Sequence, residues 1–264
     1  MDISLTSIAL LMAAGLVAGV VNTLAGGGSN LTLPALLMLG LPADVANGTN
    51  RVAVVLQCIV GVKGFDKHNS LDRPAILPIL IPTVLGGSLG AICSAIIPIA
   101  YLKPILLLTI LSMAAILLLR PTVLSPPLGT PTITPSLADS FSNSYSHADS
   151  KRGWWGLLAA GFYGGFVQAG VGFILLAALA GLLRYDLKRA NALKMVCTLA
   201  FTSVALVIFI LFDQVMWVPG LILAVGSMIG AHFAVKIAIK SSQNAIKWFL
   251  FAMTIAAVIG GFVF

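Results

Sequence analysis

Apolar runs of about 18 or more residues recur at roughly 4–24, 45–62, 75–98, 104–119, 154–183, 195–212, 215–235 and 248–264, each near the ~20 residues that carry a helix across a bilayer core. No other feature constrains the fold as strongly. In hydrocarbon a backbone must satisfy its own hydrogen bonds, so the runs are expected to be helices and the protein an all-α, polytopic membrane protein. Only 9% of the 264 residues are charged and 59% are hydrophobic, as expected of a chain that lies mostly in lipid. The first run follows Asp2 with no basic residue before it and no small-residue cleavage site after it, so it is expected to stay as a membrane segment.

Several function classes drop out at this level. The formal charge of +7 comes from basic residues dispersed at segment ends, which suits membrane orientation and implies no nucleic acid partner. Cys58, Cys93 and Cys197 are isolated in apolar sequence and suggest neither a disulfide framework nor a metal site. There is no Glu, and the eight Asp lie in a polar central stretch or near segment ends, so no carboxylate proton relay or hard-cation site is expected. Without an HExxH sequence, a His or Cys cluster or an acid/base pair, a membrane-embedded enzyme is disfavoured and no cofactor is implied. His232, one turn before Lys236, is the one intramembrane group that suggests proton coupling, against the alternative of a packed or interfacial histidine.

The chain repeats itself. "GLVAGVVN" at 15–22 matches "GFYGGFVQ" at 161–168, "DVANGTNRV" at 44–52 matches "KRANALKMV" at 188–196, and "GGSLGA" at 86–91 matches "GSMIGA" at 226–231. We therefore divide it into a first membrane repeat (1–120), a Pro/Ser/Thr-rich, flexible cytoplasmic linker (121–152) and a second membrane repeat (153–264). If each repeat crossed four times, the basic residues would divide nine against six between the two sides. If the first apolar stretch of each repeat (4–40 and 153–183) turns back at its glycines and three full spans follow, thirteen lie on one side and only Arg51 and Lys103 on the other. That asymmetry favours two inverted-topology repeats, each a glycine-turn hairpin plus three transmembrane helices.

The turn itself is "AGGGSN" at 25–30. A glycine triplet destabilises a helix by ~1 kcal/mol per residue, and non-helical chain at membrane depth is tolerated only against protein or a wet cavity. The arm starting near Ser29 would present free N–H groups and a partial positive charge, and the second copy would aim another helix start, near Phe173, at the same place. Two such ends suit a small anionic substrate. Gly26, Gly27, Gly28, Ser29 and Asn30 are thus candidate substrate contacts, with the symmetric amides Asn22 and Gln168 and with Asn47, Asn50, Arg51, Asn191 and Lys194 on the following segments. The alternatives are interhelical glue for the amides and snorkelling to the interface for the two cations. The pairs Gly15/Gly19, Gly86/Gly90, Gly161/Gly165 and Gly226/Gly230 are expected to let helices pack closely. An anion leaving a cell that is negative inside gains about 2.3 kcal/mol per charge per 100 mV, so export could run without a coupling ion.

The stretch "AGVVNTLAGGGSNLTLPALLMLGLPADVANGTNRVAVVLQ" at 18–57 closely resembles the first-repeat signature of the TauE/SafE family of sulfite exporter-like proteins, and "GFYGGFVQAGVGFILLAAL" at 161–179 resembles its second repeat. The resemblance implies transport of small sulfur-containing anions, such as sulfite, sulfoacetate or other organosulfonates, generally outward across the bacterial plasma (inner) membrane. The family's pattern maps onto Gly26, Gly27, Gly28, Pro34, Ala46, Gly48 and Thr49. Repeat two keeps Gly170 and Gly172 but carries Val171 and Phe173, which breaks strict two-fold symmetry. Uptake or facilitated transport of another small organic anion on the same scaffold stays open, as does a homodimer.

Overall fold

The computed structural model describes residues 4–119, 147–183 and 185–240. The first half comprises α1 (Leu5–Leu24), α2 (Ser29–Met38), α3 (Ala43–Lys67), α4 (Arg73–Ile96) and α5 (Ile99–Leu119). The second comprises α6 (His147–Phe166), α7 (Val171–Leu176, continued as a π-helix over Ala177–Leu182), α8 (Leu187–Leu211) and α9 (Trp217–Lys240). No strand occurs among the described residues. Among the described residues, five helices, α1, α3, α4, α8 and α9, are long and apolar enough to cross a membrane. Leu77, Leu85 and Leu89 of α4 and Phe233 of α9 face outward while Asn47, Asn50 and Arg51 are buried, the distribution of a protein whose outer solvent is lipid. The chain is a multi-pass membrane protein. Of the expected linker, residues 121–146 lie outside the described residues and 147–152 form the first turns of α6; the apolar run 248–264 also lies outside them.

The expected turn is present. α1 ends at Leu24, the chain bends through Gly26 at φ 98°, and α2 folds back so that Gly28 rests on Ala18 and Asn22 and Leu36 joins the packed cluster that holds Leu11. With 10 residues, or ~15 Å, α2 covers about half of a bilayer core. α6 breaks in the same manner at Phe166, through Gln168 (φ 68°) and Gly170 (φ 70°). The two breaks meet: the N–H of Gly172 donates to the Gly26 carbonyl at 3.1 Å, and a Cβ on either glycine would fall on the backbone of the other.

Two reciprocal glycine seams hold the halves together. Gly15 and Gly19 of α1 lie against Leu223 and Ser227 of α9, whose Gly226 and Gly230 lie in turn against Met12 and Leu16. Likewise Gly161 and Gly165 of α6 lie against Thr83 and Gly87 of α4, whose Gly86 and Gly90 lie against Leu158 and Phe162. The first helix of each half thus packs on the other half, backbone to backbone, as small-residue pairs permit.

Helix directions follow from contacts at the two ends. Thr49 meets Met216 and Gly64 meets Val235, so α3 and α9 run the same way; Lys188, at the start of α8, reaches the Ile239 carbonyl at the end of α9, so α8 runs the opposite way. Tyr185 bonds Asp72 at one end and Gln214 bonds the Ala95 carbonyl at the other, so α4 runs with α8. Lys63, Lys67, Arg73, Lys188, Lys236 and Lys240 consequently gather at one end of the bundle.

We expect Gly19→Leu and Gly165→Leu each to cost roughly 3 kcal/mol or more, the upper range for overpacking, because the new side chain meets backbone that cannot rotate away. Gly181→Ala, where a Cβ meets open space, should be neutral or stabilising by up to ~1 kcal/mol. Thermal unfolding in detergent compares them; equal behaviour of the three variants would contradict the seams.

Candidate functional site

Breaking a helix frees its last carbonyls, and inside a membrane no water replaces the lost partners. Here the replacements come from the opposite half. At the end of α1, the Asn22 and Thr23 carbonyls accept hydrogen bonds from Lys194 Nζ of α8 at 2.9 and 3.0 Å. At the end of α6, Arg51 of α3 donates through Nη1 to the Gly164 carbonyl at 2.6 Å and through Nη2 to that of Gly165 at 2.7 Å. Asn47 Nδ2 takes the Phe166 carbonyl at 2.9 Å. Each cation sits at the negative end of a helix dipole, where positive charge is favoured.

Side chains complete both cradles. Arg51 Nη1 also donates to Gln168 Oε1, which Thr202 Oγ1 reaches at 3.3 Å, and Nη2 donates to Asn47 Oδ1 at 3.2 Å. The Phe209 ring lies 5.3 Å from the guanidinium carbon, close enough for a cation–π contact. Lys194 bonds Asn191 Oδ1 at 2.7 Å. A third group ties α2 to α3: Asn50 Nδ2 donates to Ser29 Oγ at 3.1 Å and Thr32 Oγ1 donates to Asn50 Oδ1 at 2.7 Å.

Arg51 and Lys194 are 0% and 1% exposed, and neither has a carboxylate partner among the described residues. The described ion pairs, Arg73–Asp66 and Arg189–Asp186, lie near helix ends. Among the described residues, Arg51 and Lys194 are met by neutral oxygens and, at Arg51, by the Phe209 ring, and by no carboxylate. Several buried polar atoms of α1, α2, α3 and α8 have no partner among the described residues: Arg51 Nε, Gln57 Nε2, Asn191 Nδ2, Thr23 Oγ1 and Asn30 Oδ1.

The structure brings most of the sequence candidates together. Asn22, Gly26, Gly27, Gly28, Ser29 and Asn30 line the first break, Gln168, Gly170 and Gly172 the second, and Asn47, Asn50, Arg51, Asn191 and Lys194 reach these breaks from α3 and α8. The Phe173 ring covers Gly27. Two candidates lie elsewhere. Thr49 Oγ1 accepts the N–H of Met216 at the start of α9, and His232 is exposed on the outer face of α9 beside the Phe233 ring. Thr23, Ser94 and Thr202 join the polar interior without having been anticipated. For Thr202 a signal existed: Asn191, Lys194, Thr198 and Thr202 recur at helical spacing on one face of α8.

Residues 11–260 match the family model described as "Sulfite exporter TauE/SafE". The chain is 29% identical over 254 residues to a "Probable membrane transporter protein" of Haemophilus influenzae, covering 94% of this chain and 91% of the relative. It is 24% identical over 266 residues to "Probable membrane transporter protein ORF9" of Sinorhizobium sp., covering 98% and 93%. It is also 23% identical over 239 residues to "Probable membrane transporter protein YfcA" of Escherichia coli K12, covering 88% and 81%. No solved structure is significantly similar to it.

A double-mutant cycle of Thr32→Val with Asn50→Ala should give a coupling of ~1 kcal/mol in unfolding free energy, the usual net value of a hydrogen bond. Strictly additive effects would show that the α2–α3 tie does not hold the break in place.

Proposed function

The chain belongs to the TauE/SafE family of membrane transporters, and on that premise we propose that it exports small sulfur-containing oxyanions, such as sulfite, sulfoacetate or similar organosulfonates, across the bacterial plasma membrane. One observation carries this: the buried Arg51 and Lys194 lack any carboxylate partner among the described residues. A charge removed from water is costly unless paired, and a helix end supplies only about half a unit of compensation. An anion between the breaks supplies the remainder, whereas a cationic substrate would add to the imbalance. The unpartnered Asn191 amide, beside Lys194, offers a further donor.

Transport proceeds by alternating access, with the broken hairpins of two inverted repeats as the shared site. Opposite directions of α3 and α8, which descend from matching sequence, support that topology, as do the reciprocal seams. Repeats 1–120 and 153–264 are then joined through the linker 121–152. The gathered basic end is cytoplasmic by the positive-inside tendency, and potential-driven export of an anion follows without a dedicated coupling ion. Since the polar interior is almost fully buried, the conformation described is an occluded one.

Proteoliposomes loaded with labelled sulfite, ethanesulfonate or acetate test substrate class. Wild type should release the sulfur oxyanions fastest, and Arg51→Ala and Gly27→Leu should each lower that flux about tenfold or more, as loss of a buried charge partner or a clash with Phe173 would. Undiminished flux in both variants would remove the proposed site; faster acetate release would point to carboxylates instead. Cysteines placed at Ser70 and Lys240, in a Cys93→Ser background, should be labelled from the same side, and labelling from opposite sides would sink the inverted topology.

A further inference from the structure

We propose that the transported oxyanion docks on one edge of the Arg51 guanidinium, formed by Nε–H and the adjacent N–H of Nη2, where it displaces Asn47 Oδ1 and leaves the grip of Arg51 on α6 intact. This rests on the reading that the protein carries small oxyanions. It follows from counting donors. A guanidinium has five N–H groups. Nη1 serves the Gly164 carbonyl and Gln168, and Nη2 serves the Gly165 carbonyl at 2.7 Å and Asn47 Oδ1 at 3.2 Å. The fifth, on Nε, is buried and has no partner.

The end of the fork therefore holds two consecutive carbonyls of α6, while its side edge carries one unused donor beside one long hydrogen bond. An anion with two oxygens matches the two donors of that edge. It gives Nε its partner and replaces the 3.2 Å contact with a charge-assisted bond, for which ~2.7–2.9 Å is usual. Asn47 is not cast loose, because its Nδ2 remains bonded to Ser94 Oγ at 3.0 Å and to the Phe166 carbonyl at 2.9 Å. Phe209, against the guanidinium, leaves the edge rather than the ring-covered face as the approach.

Lys194 differs in kind. An ammonium has three N–H groups, and all three are committed, to Asn22 O, Thr23 O and Asn191 Oδ1. It contributes field but has no free donor unless it releases α1. Selection between anions thus falls to Arg51: sulfite, a sulfonate or a carboxylate presents two oxygens to the edge, whereas a halide presents a single acceptor centre.

Titration calorimetry of the full chain with ethanesulfonate and with chloride tests this on wild type and Arg51→Lys, which keeps the charge and loses the planar edge. Wild type should prefer ethanesulfonate by about 30-fold or more, and Arg51→Lys should reduce the preference to about threefold or less with chloride affinity little changed. An undiminished preference in Arg51→Lys overturns the docking edge while leaving anion transport standing. Failure of wild type to bind or move any oxyanion overturns both. Should Arg51→Lys not fold, 15N-arginine labelling of wild type supplies the test, since the chain has six Arg and the buried Nε–H of Arg51 should be the slowest to exchange in D2O. That signal should shift with ethanesulfonate and not with chloride, and a signal unmoved at saturating ethanesulfonate overturns the edge.

Discussion

Every other feature of the interior depends on the pairing of two buried cations with two broken helix ends. A helix that stops inside a membrane leaves carbonyls that water cannot reach, each worth several kcal/mol if abandoned. Lys194 takes the last free carbonyls of α1, and Arg51 with Asn47 takes those of α6. The exchange is mutual: the breaks need cations, and the cations, without carboxylates, need the dipole ends. Neither half can satisfy its own break, because the donors for α1 come from α8 and those for α6 come from α3.

The glycine seams make that exchange geometrically feasible. A side chain on Gly19 or Gly165 would separate α1 from α9 or α6 from α4, and with them the hairpins from the polar faces of α3 and α8. Close approach therefore serves the same end as the cations. Both bring the first helix of one half into the other, so the two breaks touch at Gly26 and Gly172.

Much of this was legible in the sequence because it rests on local necessity. A glycine triplet inside an apolar run forces a break, and glycines four apart make a flat helix face. Less legible were the partners. Nothing near Lys194 in sequence announces the Asn22 and Thr23 carbonyls, which lie more than 170 residues away, and nothing near Arg51 announces Gly164 and Gly165. The left-handed Gln168 was hidden for the same reason, since its conformation is imposed by the break and by Arg51, not by its own preference. His232 shows the converse. Ala231, Ala234, Val235 and Ala238 form the buried face of α9, and position 232 falls off it, so helical phase alone could have placed the histidine outside.

The two halves match in sequence but carry different cations. At matched positions the first carries Asn50 followed by Arg51 and the second Lys194 followed by Met195, so the cation shifts by one residue and changes chemistry. A lysine has three donors and all are engaged on α1; an arginine has five, and one stays free after α6 is held. With two lysines both breaks would be capped and no planar edge would remain to read an anion's geometry. With two arginines a second unpartnered donor would be buried in the interior. One of each leaves an unpartnered guanidinium donor on Arg51 of the first half, held against the break of the second half, which carries Gln168 and Gly170 in place of the glycine triplet.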